Sequence, residues 1–170
     1  MIKLVIFDLD GVLVDARELH YEALNRALAA FGFTILREEH LSTYDGLPTT
    51  KKLELLTENK GLQKENYDLI WKKKQEFTSL IINEEMTYDE RLRGILSKLK
   101  SQGYTICVAS NSIRESVKMM LIRKGLLEYI DFFYSNQDVN KPKPSSEIYL
   151  KCMIKAGVNP DETVIVEDSH

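Results

Sequence analysis

Two aspartates one residue apart, Asp8 and Asp10, directly follow the apolar run Ile2 to Phe7 near the start of a 170-residue chain. Residues two apart on extended backbone point to the same side, so the spacing predicts two carboxylates facing one direction. Left to themselves they would repel, which calls for something cationic between them. Two further apolar runs end the same way. Tyr104 to Ala109 leads into Ser110 and Asn111, and Thr163 to Val166 leads into Glu167 and Asp168. In open α/β sheets ligands bind at the carboxyl ends of the strands. Three strands are thus expected to bring four carboxylates, a hydroxyl and an amide to one place. That donor set suits Mg²⁺, a hard cation that takes carboxylate and carbonyl oxygens and completes its shell with waters and phosphate. His20, His40 and His170 lack the spacing of zinc ligands. Ser110-Asn111-Ser112 taken alone is better explained by the preference of these residues for turns and helix starts.

The runs that carry these residues are rich in β-branched side chains and nearly continuous in hydrophobicity, the pattern of strands buried on both faces of a parallel sheet. Phe132 to Ser135 is a weaker fourth strand. Helical spacing lies between them. Leu19, Ala23, Leu24, Ala27, Leu28 and Phe31 step by three and four and stop at Gly32; Leu92, Ile95, Leu96 and Leu99 stop at Gly103. Val117, Met120 and Leu121 precede Gly125, and Tyr149, Cys152, Met153 and Ala156 precede Gly157. Alternation of this kind predicts an α/β fold, a Rossmann-like doubly wound parallel sheet. One stretch breaks it. Residues 16–86 carry only helical patterns, such as Leu69, Ile70, Phe77, Leu80 and Ile81, and a structureless loop of that length is improbable. They are expected to form an inserted helical cap, with 1–15 and 87–170 forming the core.

Composition narrows the partners. With 44% hydrophobic and 29% charged residues the chain reads as globular, and a net charge of -3 gives no footprint for nucleic acid. Lys72-Lys73-Lys74 is the one basic cluster, expected as a solvated helix face. No apolar stretch approaches the roughly 20 residues of a membrane span, and the N-terminus has no secretory-signal pattern, so a cytoplasmic setting is expected. Cys107 and Cys152 read as reduced core residues.

Four segments together resemble the haloacid dehalogenase-like hydrolases, in particular the branch of β-phosphoglucomutases and phosphoglycolate phosphatases with a helical cap. They are Asp8-Leu9-Asp10-Gly11-Val12-Leu13-Val14-Asp15, Val108-Ala109-Ser110-Asn111-Ser112, Lys143-Pro144-Ser145-Ser146-Glu147-Ile148-Tyr149 and Val164-Ile165-Val166-Glu167-Asp168-Ser169. The resemblance implies a role for each match. Asp8 would be the nucleophile that forms an aspartyl-phosphate, and Asp10 the general acid and base. Ser110, Asn111 and Lys143 would hold the phosphoryl group. Asp8, the backbone carbonyl of Asp10, Glu167 and Asp168 would bind Mg²⁺. Counting back from Glu147-Ile148-Tyr149 selects Lys143, with Lys141 as the alternative, and Ser146 stands where the family has proline.

In the cap, Gly46 belongs to a stretch, Tyr44 to Thr49, that resembles the family's substrate-facing loop, and His20 sits where β-phosphoglucomutases carry histidine. Thr49 stands where those mutases place an arginine on a second phosphate, with Lys51 or Lys52 as the nearest substitutes. The expected activity is therefore Mg²⁺-dependent hydrolysis of a small phosphorylated metabolite. A phosphomutase is the nearest alternative, and a receiver-type phospho-acceptor or a catalytically inactive binding protein is more remote. Family members continue beyond the fourth segment through a helix and an edge strand. The end at His170 leads to the expectation of a shortened chain with apolar sheet surface uncovered.

Overall fold

Strands form where the sequence concentrates its β-branched residues, and helices fill the intervals between them. The computed structural model describes residues 1–45 and 47–168. In chain order these form β1 (Leu4–Phe7), α1 (Arg17–Ala29) and a short α2 (Arg37–Glu39) that runs into a wide helical turn at His40–Tyr44. Next come α3 (Thr49–Lys60), α4 (Tyr67–Glu85), α5 (Glu90–Ser101), β2 (Thr105–Ala109) and α6 (Arg114–Arg123). The chain then continues through β3 (Phe132–Tyr134), α7 (Glu147–Ala156) and β4 (Thr163–Val166). It divides into two compact units, Met1–Ala16 with Ile82–His170, and Arg17–Ile81.

The first unit holds a parallel sheet in the order β3-β2-β1-β4. Leu4 lies opposite Thr105 on one side and Thr163 on the other, and this register carries Phe7 opposite Val108 and Val166. β1 and β4 therefore end level and β2 runs one residue further, which brings the residues that follow them to a common edge. Side chains alternate across the sheet. Leu4, Ile6, Cys107 and Ala109 face α7, where Ile148, Cys152 and Met153 complete one core cluster. Both cysteines are buried free thiols. The architecture is the parallel α/β fold expected from the strand-helix alternation.

The expectation that all three strong strands are buried on both faces holds for β1 and β2 but fails for β4. Leu4, Ile6, Ile106, Cys107, Val108 and Ala109 are fully buried, whereas Val164 and Ile165 are each 41% exposed. Among the described residues β4 lies at the edge of the sheet, with β1 as its one strand neighbour. Adjacent residues point to opposite faces, so both of its faces are partly open.

The second unit has its own core. Leu24, Ala27 and Leu28 of α1 pack with Ile35, Tyr44, Leu53, Leu56, Leu62 and Ile70. Here the helical pattern overreached at two points. Leu69 and Leu80 of α4 are exposed while Ile70 and Ile81 are buried. Lys74, expected on a solvated face, is buried. It follows Ile70 by four residues and precedes Thr78 by four, so the buried stripe of the helix passes through it. No helix among the described residues is long and apolar enough to cross a membrane.

Candidate active site

The site grows from the carboxyl ends of β1, β2 and β4. The β1–β4 ladder runs one residue past the strand, with the Asp8 N–H donating to the Val166 carbonyl at 2.9 Å. The chain then turns tightly. The N–H groups of Leu13 and Val14 both donate to the Leu9 carbonyl, and Gly11 donates to Val14 at 2.7 Å. Gly11 has φ +87°, a region that strains residues with a Cβ. A Cβ there would also lie 2.1 Å from Asp168 Oδ2. Glycine is thus required twice over, for the turn and for the approach of the Asp168 carboxylate.

Asp8 is buried, and its Oδ1 accepts a hydrogen bond from Lys143 Nζ at 2.7 Å. The same ammonium donates to Glu167 Oε1 at 2.7 Å. Burial pushes the Asp8 carboxyl up to about 6, against the opposing pull of Lys143. For Lys143, burial works against the charged form, but its hydrogen bonds to Asp8 and Glu167 outweigh it and hold the ammonium above its ordinary value. Of the two candidate lysines it is Lys143 whose side chain enters the site. Lys141 is exposed, and its backbone N–H donates to Glu147. Asn111 bonds the backbone of Lys143 through its side chain. Its amide accepts from the Lys143 N–H at 2.9 Å and donates to the Lys143 carbonyl at 3.2 Å. It clamps the loop that carries the lysine.

On the β2 side Ser110 is fully buried, and its Oγ accepts from the Ser112 N–H at 3.0 Å. That leaves the Ser110 hydroxyl proton to be given elsewhere. Ser112 Oγ donates to Asp10 Oδ2 at 3.0 Å. The two aspartates of the opening motif are therefore held by different partners, Asp8 by a lysine and Asp10 by a hydroxyl. The Lys143 ammonium lies between Asp8 and Glu167. Sequence reasoning gave Ser112 no site role; its one signal was the second hydroxyl in Ser110-Asn111-Ser112. Tyr149 was likewise unassigned, yet its hydroxyl donates to Glu167 Oε1 at 2.7 Å.

A divalent cation fits the donor set. Asp8, Glu167 and Asp168 each offer a carboxylate oxygen within 4.8 Å of the others. Three converging carboxylates favour a positive charge among them, and the Lys143 ammonium already lies against two. The Asp10 carboxylate is outside this group. In the second unit, His20 is half-buried on α1 and Thr49 is the partly exposed first residue of α3. Gly46 lies outside the described residues. Lys51 pairs with Glu54 at 2.8 Å, whereas Lys52 is buried, and burial holds its ammonium below its ordinary value.

Comparison with known proteins gives a family match and several similar chains. The sequence profile of the haloacid dehalogenase-like hydrolases covers residues 5–170. A phosphorylated carbohydrates phosphatase of Thermotoga maritima is 28% identical over 97% of this chain and 76% of its own length. Pyrophosphatase PpaX of Bacillus velezensis is 25% identical over 98% of this chain and 74% of its own. The crystal structure of CbbY from Rhodobacter sphaeroides in complex with phosphate superposes with a TM-score of 0.85 at 25% identity, covering 99% of this chain and 79% of that one.

Proposed function

The chain belongs to the haloacid dehalogenase-like hydrolases, and we propose that within that family it is a Mg²⁺-dependent phosphatase of a small phosphorylated metabolite, working through an aspartyl-phosphate on Asp8. The observation that carries the reading is Lys143, whose ammonium joins the Asp8 and Glu167 carboxylates just beyond β1 and β4. The resemblance to a phosphatase of phosphorylated carbohydrates favours a sugar phosphate as substrate.

In this mechanism the Asp8 carboxylate attacks phosphorus while Lys143 and the Ser110 hydroxyl hold the phosphoryl oxygens, where negative charge is densest. Asp10 gives its proton to the departing oxygen. It then takes a proton from the water that cleaves the aspartyl-phosphate. Ser112 keeps the Asp10 carboxylate aimed for both transfers. Asp8, Glu167 and Asp168, with the Asp10 carbonyl, would hold Mg²⁺, which when bound would neutralise the charge gathered on the transferring group. Asn111 keeps Lys143 in place through the loop backbone. Residues 16–86 would act as the cap that selects substrate through His20, Gly46 and Thr49.

The uncharged Thr49 and the Lys51–Glu54 pair favour hydrolysis over mutase chemistry, which must grip a second phosphate. Phosphate release from a panel of sugar phosphates and simple phosphate esters, with and without Mg²⁺, tests the proposal. Release that needs Mg²⁺ and disappears in Asp8→Asn supports it. No release from any member, or full activity in Asp8→Asn, would overturn it.

A further inference from the structure

Glu167 is the first residue beyond β4, the one strand of the site whose side chains are not locked in a core. Val164 and Ile165 before it are 41% exposed. A carboxylate on such a platform has little packing to fix its rotamer, yet it belongs to the group of three suited to a cation. Polar contacts hold it instead. Its Oε1 accepts from Lys143 Nζ and from the Tyr149 hydroxyl, both at 2.7 Å, and its Oε2 accepts from the Asp168 N–H at 3.1 Å.

Tyr149 differs from the other two donors in where it is anchored. It is the third residue of α7, a helix whose Ile148, Cys152 and Met153 are packed in the core cluster against β1 and β2. Its ring joins that cluster and faces Lys143, with the ammonium 5.3 Å from the ring centroid. The hydroxyl therefore carries the rigidity of the buried side of the sheet across to the exposed edge strand. Phenylalanine would provide the same ring without that reach.

We infer that Tyr149 is a positioning residue for cation binding, its hydroxyl presetting Glu167 within the carboxylate group. Partners that orient a ligating carboxylate commonly contribute roughly 10- to 100-fold to metal affinity. With Lys143 sharing the same oxygen, an effect of about tenfold is expected here. The inference rests on the metal reading given above and adds a residue that acts through Glu167.

The test is Mg²⁺ titration of the full chain by calorimetry, without substrate, for the wild type, Tyr149→Phe, Glu167→Ala and the double variant. Tyr149→Phe should weaken Mg²⁺ about tenfold while melting of the metal-free protein falls by no more than about 2–4 °C, the scale of one hydrogen bond. Glu167→Ala should weaken binding as well, and Tyr149→Phe added to it should cause no further loss. A Tyr149→Phe protein that binds Mg²⁺ as well as the wild type, or more tightly, overturns the inference. Additive losses in the double variant also overturn it, because the hydroxyl would then act other than through Glu167. A wild type that does not bind Mg²⁺ overturns the metal reading and the inference together. Normal wild-type binding with an unaffected Tyr149→Phe removes the inference alone.

Discussion

The two strands flanking β1 bring chemistry to the same edge on very different foundations. β2 is buried, and the residues after it are fixed by the core beneath and by short local bonds, such as Ser112 N–H to Ser110 Oγ. β4 is half-exposed, and Glu167 and Asp168 after it depend on polar partners and on the space left by Gly11. The phosphoryl-holding arm is positioned by packing and the cation-holding arm by charge. Substitutions should therefore separate the two arms. Core changes act on stability first, and polar changes near β4 act on cation binding first.

The largest effects belong to β1, which serves both arms. Asp8→Asn should lower kcat by on the order of 10⁴ or more, since it removes the nucleophile. Asp10→Asn should lower it by about 10²–10⁴, the range of a lost general acid and base. Steady-state phosphate release measures both. Gly11→Ala comes next. It places a Cβ 2.1 Å from Asp168 Oδ2 in a turn with φ +87°, so backbone strain of about 1–3 kcal/mol is expected together with weakened Mg²⁺ binding. Denaturant unfolding and calorimetry report the two parts, and an unchanged Mg²⁺ affinity would contradict the close approach.

The contrast between the flanking strands has its own test. Ile106→Ala on β2 should cost about 2–5 kcal/mol in denaturant unfolding, because its side chain is fully buried. Ile165→Ala on β4 should cost about 1 kcal/mol or less, because much of its surface already meets water. Equal losses would mean that β4 is as firmly packed as β2.

How far this arrangement can be read from sequence follows the same division. Asp8 and Asp10 stand at a spacing that states their chemistry, the roles of Ser110 and Lys143 come from the family resemblance, and their gathering at one sheet edge follows from three apolar runs in a parallel sheet. The Ser112–Asp10 and Tyr149–Glu167 bonds do not follow, because they join residues 102 and 18 positions apart through side-chain direction. The Asn111 bonds to the Lys143 backbone do not follow either, because an amide at a strand end can serve either anion or backbone. Only the position of Lys143 shows that it clamps the loop. By hydrophobicity alone Thr163-Val164-Ile165-Val166 looks as buried as Leu4-Val5-Ile6-Phe7; the family resemblance is what raised the expectation of uncovered apolar sheet surface, and Val164 and Ile165 are 41% exposed. Lys74 was misread because three adjacent lysines suggest a surface, while the buried stripe of α4 passes through one of them.

A further prediction is a pH dependence. Burial raises the Asp8 carboxyl from 3.8 to about 6 in the folded protein, so folding favours its protonated form. That contribution is full below about pH 4 and is lost as pH rises through about 6. Carboxylates held low by partners, such as Glu162 by Lys3, change stability in the opposite sense. The Asp8 part is therefore the difference between wild-type and Asp8→Asn unfolding curves in metal-free buffer. Stabilisation of the wild type by Mg²⁺ should correspondingly be greater at pH 7 than at pH 5, as followed by thermal melting.

The central claim, covalent chemistry on Asp8, is tested most directly by mass spectrometry of the Asp10→Asn protein after brief exposure to a turnover substrate and Mg²⁺. Without a base to activate water, the protein should carry one hydroxylamine-sensitive phosphoryl group on the peptide containing Asp8, absent when Asp8 is also replaced by Asn. An unmodified Asp8 peptide in a protein that still cleaves the substrate would contradict the account.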